Sequence, residues 1–155
     1  MTPRCKPDSC VGCSLQSAGT DFSQPEGTGR LRVLICGEAN GEHEQRDQLP
    51  FRNYAPAGAL LTRTIRRLGL DRDDFLISNL LRCRPYNNIL EGASYEHSAV
   101  EQCLPNFLSL LRQYRPKVIL ACGNLPLKHL TGLNGPQRGI GHLRGYVLRA
   151  LPIYE

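Results

Sequence analysis

No run of apolar residues in this 155-residue chain approaches the length that crosses a bilayer. The opening "MTPRCKPDSC" also lacks the apolar stretch of a secretory signal. Both absences point to a reducing, cytoplasmic setting, where disulfides are rare and clustered cysteines bind metal or do chemistry. There is no Walker-type Gly-Lys-Ser/Thr and no G-x-G-x-x-G, so the common phosphate-cradling loops are missing. The four histidines have no ligand spacing, and His43, His97 and His129 read as surface residues. No internal repeat, low-complexity tract or second domain interrupts the chain. Residues 1–155 therefore read as a single domain, long enough to close a hydrophobic core without disulfides. Within it, residues 1–30 are a cysteine-bearing N-terminal segment, rich in Pro, Gly and Ser, that docks on the rest.

What the chain does have is arginine and cysteine. The net charge is +5 and unevenly placed: residues 1–50 carry 5 basic and 7 acidic groups, residues 51–155 carry 14 and 7. Twelve of those 14 are arginines, the side chain best suited to bidentate phosphate contact. Nucleic acid is a plausible partner, with a solvated basic surface the bland alternative. No obligate protein partner is indicated.

Hydrophobic patterning gives an alternating order of elements. "LRVLICGEA" (31–39) has the pattern of a buried strand. "AGALLTRTIRRLGL" (57–70) puts Leu60, Leu61, Ile65 and Leu68 on one helical face. "DFLISNLL" (74–81) is a second strand. Val100, Cys103, Leu104, Phe107, Leu108 and Leu111 then mark an amphipathic helix that Pro105 should kink or restart. "KVILACG" (117–123) is a third, buried strand, followed by a short helix over "NLPLKHLTG". Strand and helix alternating at this spacing predict an α/β fold of parallel βαβ units with helices on both faces. Ligands bind such sheets beyond the carboxyl ends of the strands. Those ends read "GEANG", "SNLLRCRP" and "CGN".

Seven cysteines are an odd number, which fits poorly with a closed disulfide framework. Cys10 and Cys13 form a C-x-x-C pair, a spacing at which two thiolates grip one metal centre. Cys83 lies just past the second strand and Cys103 on the apolar face of the next helix, so the two can converge, and the C-x-x-C loop could complete four ligands. The competing reading leaves Cys83 and Cys103 as buried bystanders and makes the C-x-x-C a redox or zinc pair. Zinc and an iron–sulfur cluster remain alternatives on spacing alone. Cys36 and Cys122 read as small core residues, and Cys5 as a spare.

Taken in order, the motifs resemble the family 4, iron–sulfur type of uracil-DNA glycosylase. Those motifs are Cys10–Cys13, "GEANGEHE" (37–44), "PFRNYAPAGALL" (50–61), "SNLLRCRP" (78–85) and "CLP" (103–105). The resemblance implies a three-layer α/β/α fold around a mostly parallel sheet, and a 4Fe–4S cluster on Cys10, Cys13, Cys83 and Cys103. It further implies excision of uracil from single- or double-stranded DNA in base-excision repair. Asn40 departs from the family's usual proline, and two extra residues separate Phe51 from Ala57–Gly58. The family's closing His-Pro-Ser/Ala motif does not occur, which implies a C-terminally incomplete domain with its last strand truncated. A non-catalytic iron–sulfur DNA-binding domain is therefore the alternative function.

Uracil excision requires the base to be flipped out, its edge to be read, and an N-glycosidic bond to be hydrolysed. Positive charge builds on the sugar and negative charge on the departing base, so a carboxylate near the sugar is needed. Glu38, at a strand end, is the candidate, with Gly37 and Gly41 allowing close backbone approach. Phe51 would stack on the base, and Asn79 would pair its amide with uracil O4 and N3–H. Glu42 and Glu44 read as a solvated helix start. Arg82 and Arg84 could reach phosphates or tune the cluster, and Arg138 and Arg144, in a glycine-rich stretch, are candidate phosphate contacts.

Overall fold

The computed structural model describes residues 6–17, 22–135 and 137–154. Cys5 lies outside the described residues. Three strands, β1 (Val33–Gly37), β2 (Leu76–Asn79) and β3 (Val118–Ala121), form one parallel sheet in the order β2-β1-β3. Gly37 pairs with Asn79 and Cys36 with Ala121, so the three carboxyl ends lie level along one edge of the sheet. An isolated antiparallel bridge joins Glu26 to Ile77 outside this ladder.

Alternation along β1 and β2 sorts side chains into two layers, as the pleat requires. Leu34, Cys36 and Leu76 face a core shared with Cys103, Phe107 and Leu111 of α3 (Glu96–Tyr114) and Leu125 and Leu130 of α4 (Asn124–Thr131). Ile35 and Ile77 face the other way, onto Phe75 and Ile65 of α2 (Pro56–Arg67). Helices thus cover both faces, and the expected α/β/α layering is present. Two short helices, α1 (Glu42–Asp47) and α5 (Ile140–Leu143), follow β1 and α4.

Four local expectations need correction. Leu60 and Leu68 are exposed rather than inward, and the buried face of α2 runs through Gly58 and Ile65. Helix α3 continues unbroken through Pro105. Pro105 and Glu101 are both exposed, so the carbonyl that proline leaves without its helical partner can be met by water. The third strand is not buried: β3 is an edge, and Val118 and Leu120 point outward at 55% and 50% exposure. His129, read as a surface residue, is half-buried between Glu96 and the core, and burial lowers its pKa. Among the described residues no helix is long and apolar enough to cross a membrane.

Candidate active site and cysteine cluster

A cleft of about 480 Å³ opens at the carboxyl edge of the sheet. Glu38, Gly41, Phe51 and Asn79 all line it, together with Ala55 and Pro56 at the start of α2. Four residues named from separate motifs are therefore neighbours on one surface. Gly37 forms part of the same arrangement from below. A methyl group there would run into the Asn79 carboxamide oxygen and the Phe51 ring, 2.6 Å from Cζ. Only glycine leaves room for those two side chains to abut above β1.

Phe51 is held with some force. Its φ of 49° is left-handed, a conformation that costs a bulky residue energy and persists only when the surroundings impose it. Gly58 supplies part of that imposition: a Cβ at this position would overlap the carbonyl oxygens of Phe51 and Arg52. The 50–58 loop can thus lie directly on the first turn of α2, with the Phe51 ring turned into the cleft. Gly58 was not singled out from the sequence, although the "AG" before the leucines is where it stands.

Glu38 follows β1 and its carboxylate lies at the first turn of α4, where the Leu125 amide donates to Oε1 at 3.3 Å. Gly123, at φ 132°, makes that contact possible, since a side chain there would collide with the Glu38 carboxylate. Cys122, expected in the core, is half-buried and lines the cleft because β3 is an edge strand. Cys36 is fully buried, as expected, and burial pushes its thiol pKa up.

Asn79 is 3% exposed and donates from Nδ2 to Asn40 Oδ1 at 2.8 Å. Asn40, the departure from proline noted above, is itself 2% exposed, and its own Nδ2 has no partner. Around the rim, Glu44 accepts from the Gly41 amide at 3.2 Å and so caps α1, while Glu42 lies 3.7 Å from Arg84. Arg84 also donates to Asn88 Oδ1 and Gln45 Oε1, which ties the loop after β2 to α1. Arg138 and Arg144 follow α4, are exposed, and are not among the residues that line the cleft.

A cavity of about 530 Å³ lies elsewhere, between α2 and Glu26. Its Arg72 is paired with Glu26 at 2.8 Å and its Arg52 with Asp47 at 3.0 Å. Those two cations already have partners, and none of the residues named from the sequence motifs as catalytic or substrate-binding lines this cavity.

The four cysteines of the expected cluster share one core, on the α3 side of the sheet. A short 3-10 turn at Asp8–Cys10 packs on α3. It is held there by Gln102 Nε2 donating to Ser9 O at 2.6 Å and Ser9 Oγ to Asn106 Oδ1 at 3.1 Å. Lys6 Nζ closes the loop by donating to Leu15 O at 2.7 Å, and Leu15 is fully buried. Cys10 and Cys13 pack against the core that contains Cys83 and Cys103.

Burial is the first cause that raises Cys83 to about 12 and Cys103 to about 11, and neighbouring thiols add to it in each case. Cys10 is raised likewise by burial and then by Cys13. All four are free thiols. Mutually repelling thiolates in a buried pocket are costly without a cation, and a bound metal group removes that cost by taking the ligands deprotonated. Arg82 adds positive charge: it is 8% exposed, donates to Ser23 O at 2.7 Å, and stacks 4.2 Å over the Phe22 ring.

Among the described residues, no three His, Cys, Asp or Glu side chains group tightly enough to hold one metal ion. A single zinc needs sulfurs about 2.3 Å from one point. A cube of iron and sulfide is larger and suits four thiols set further apart around a shared space. Four thiols are the donor set that either a zinc ion or an iron–sulfur cluster would take.

Parallel sheet, strand-end cleft and cysteine set belong to one α/β domain. The family model for the uracil DNA glycosylase superfamily matches residues 24–154, and the chain belongs to that superfamily. Its similarity extends to the type-4 uracil-DNA glycosylase of Pyrobaculum aerophilum, 34% identical over 88% of this chain and 67% of the relative. The type-4 enzymes of Saccharolobus solfataricus and Thermotoga maritima are 33% and 32% identical, each over 88% of this chain. The chain spans 61% and 67% of their respective lengths.

Proposed function

We propose that this protein removes uracil from DNA by hydrolysing the N-glycosidic bond, as a base-excision repair enzyme. The observation that carries the reading is the convergence of Glu38, Phe51 and Asn79 on one cleft at the strand ends. Uracil flipped from the DNA would stack on the Phe51 ring, with its N3–H and O4 edge toward Asn79. Glu38, anchored by the Leu125 amide, would sit beside the sugar, where its charge stabilises the oxocarbenium-like transition state and orients the attacking water. Gly37 would serve substrate binding by giving the Asn79 amide and the Phe51 ring room to meet at the floor of the cleft, and Gly41 by adding no side chain at its mouth.

Cys10, Cys13, Cys83 and Cys103 would hold a 4Fe–4S cluster, whose contribution is to tie the N-terminal segment, the loop after β2 and α3 into one unit. Arg82 would balance the charge of the loaded site. Arg138 and Arg144, both exposed, would contribute sequence-independent phosphate contacts. DNA containing uracil is thus the proposed substrate, single- or double-stranded.

The test is incubation of the purified protein with an oligonucleotide carrying one uracil, followed by alkaline cleavage at any abasic site. Cleavage at the uracil position, and none in the same strand bearing thymine, is the expected result. Uncleaved DNA in the presence of folded, iron-loaded protein would reject the reading.

A further inference from the structure

We infer that Asn40 is a positioning residue that sets which way round the Asn79 amide faces, and so makes the cleft select uracil over cytosine. The inference rests on the proposed role of Asn79 as reader of the base. The two ends of that amide meet different neighbours. The Nδ2 end donates to Asn40 Oδ1 at 2.8 Å, inside the protein. The Oδ1 end lies over Gly37, in the space that a side chain there would fill and beside the Phe51 ring.

A base lying on Phe51 therefore meets an acceptor first. Uracil has a donor, N3–H, at that edge, whereas cytosine has an acceptor at N3 and a donor at N4. Nδ2 has two hydrogens and Asn40 takes one of them, which leaves the other for uracil O4. Turned over, the same amide would present its donor to N3 and its acceptor to N4, the pattern complementary to cytosine. Uracil and cytosine differ only along this edge, and cytosine is present throughout DNA. An amide free to turn would read either base.

Asn40 suits this part because it does not line the cleft: it is buried behind the Asn79 amide, at 2% exposure, and touches no base. Its own Nδ2 is buried without a partner, so nothing else in the described structure accounts for an amide at this position.

The test compares binding of the whole protein to two oligonucleotides, one with a single uracil and one with cytosine, each on a 2′-fluoro sugar that resists cleavage. Asn40→Ala should reduce the uracil-over-cytosine preference by about tenfold, within the range expected for one well-placed base-edge contact. Affinity for undamaged duplex should stay as in wild type. Asn40→Asp, which keeps the acceptor, should restore the preference. In the unsubstituted protein, the through-hydrogen-bond NMR coupling should run from the Asn79 side-chain nitrogen to the Asn40 side-chain carbonyl.

Wild-type protein with no uracil preference would overturn the functional reading itself. Wild-type preference that survives intact in Asn40→Ala would overturn this inference alone, as would a coupling running from Asn40 to Asn79.

Discussion

The cysteine cluster and the cleft are built from the same strand by opposite means. Asn79 ends β2 inside the cleft, and Cys83, in the loop that follows, enters the cluster. On the cluster side, segments nearly a hundred positions apart are joined by hydrogen bonds such as that from Gln102 to Ser9, with Cys10 and Cys13 packed on the core of Cys83 and Cys103. Little there is held by apolar packing of the N-terminal segment itself, beyond Leu15 and Phe22. On the cleft side, hydrogen bonds such as Asn79 to Asn40 and Arg84 to Gln45 work together with omitted atoms: Gly37, Gly58 and Gly123 each leave space that a neighbouring group occupies. One region consists of groups that hold distant segments together, the other of glycines that leave room for their neighbours.

That contrast makes different variants fail in different ways. The largest effect belongs to Cys83→Ser. It should abolish bound iron and lower stability by about 4–5 kcal/mol or more, the range associated with losing a structural metal. Iron analysis together with thermal melting checks it, and full iron content in the variant would remove Cys83 from the ligand set.

Substitutions in the cleft should leave iron untouched. Gly58→Ala forces a methyl into the backbone of the Phe51 loop, and a cost of about 1–3 kcal/mol in stability is expected from such overpacking. Phe51→Ala should cost about 1–3 kcal/mol in affinity for uracil-containing single strands, by loss of one stacked base, with melting temperature little changed. If Gly58→Ala leaves uracil affinity unaltered while Phe51→Ala lowers it, Gly58 shapes the fold without positioning the ring. The smallest effects are expected at Arg138 and Arg144. Replacing either with alanine should reduce the salt dependence of DNA binding by about one unit of slope and leave the choice of base unaltered.

The layout of the sheet was legible in the sequence because short apolar runs alternate with amphipathic ones, and both patterns survive in the structure. The strand-end residues Glu38 and Asn79 were legible for the same reason, since a polar group closing an apolar run has few other places to be. The face of α2 was less so. Four leucine-type residues share an arc, yet the close approach at Gly58 turns the helix so that Leu60 and Leu68 face solvent. Cys122 was misplaced because an edge strand and a central strand look alike when read as apolar runs. Asn40 and Gly123 act only through residues far away in the chain, Asn79 and Glu38, and no local pattern announces such a contact.

Uracil excision by the Glu38 carboxylate in this cleft is the central proposal. Its most direct test is the release of free uracil from uracil-containing DNA, measured side by side for the wild-type protein and Glu38→Gln. The variant keeps an oxygen for the Leu125 amide and should remain folded and iron-loaded. Release slowed by about 10²–10⁴-fold, with DNA binding retained, is the predicted result. Equal rates of uracil release from the two proteins would contradict it.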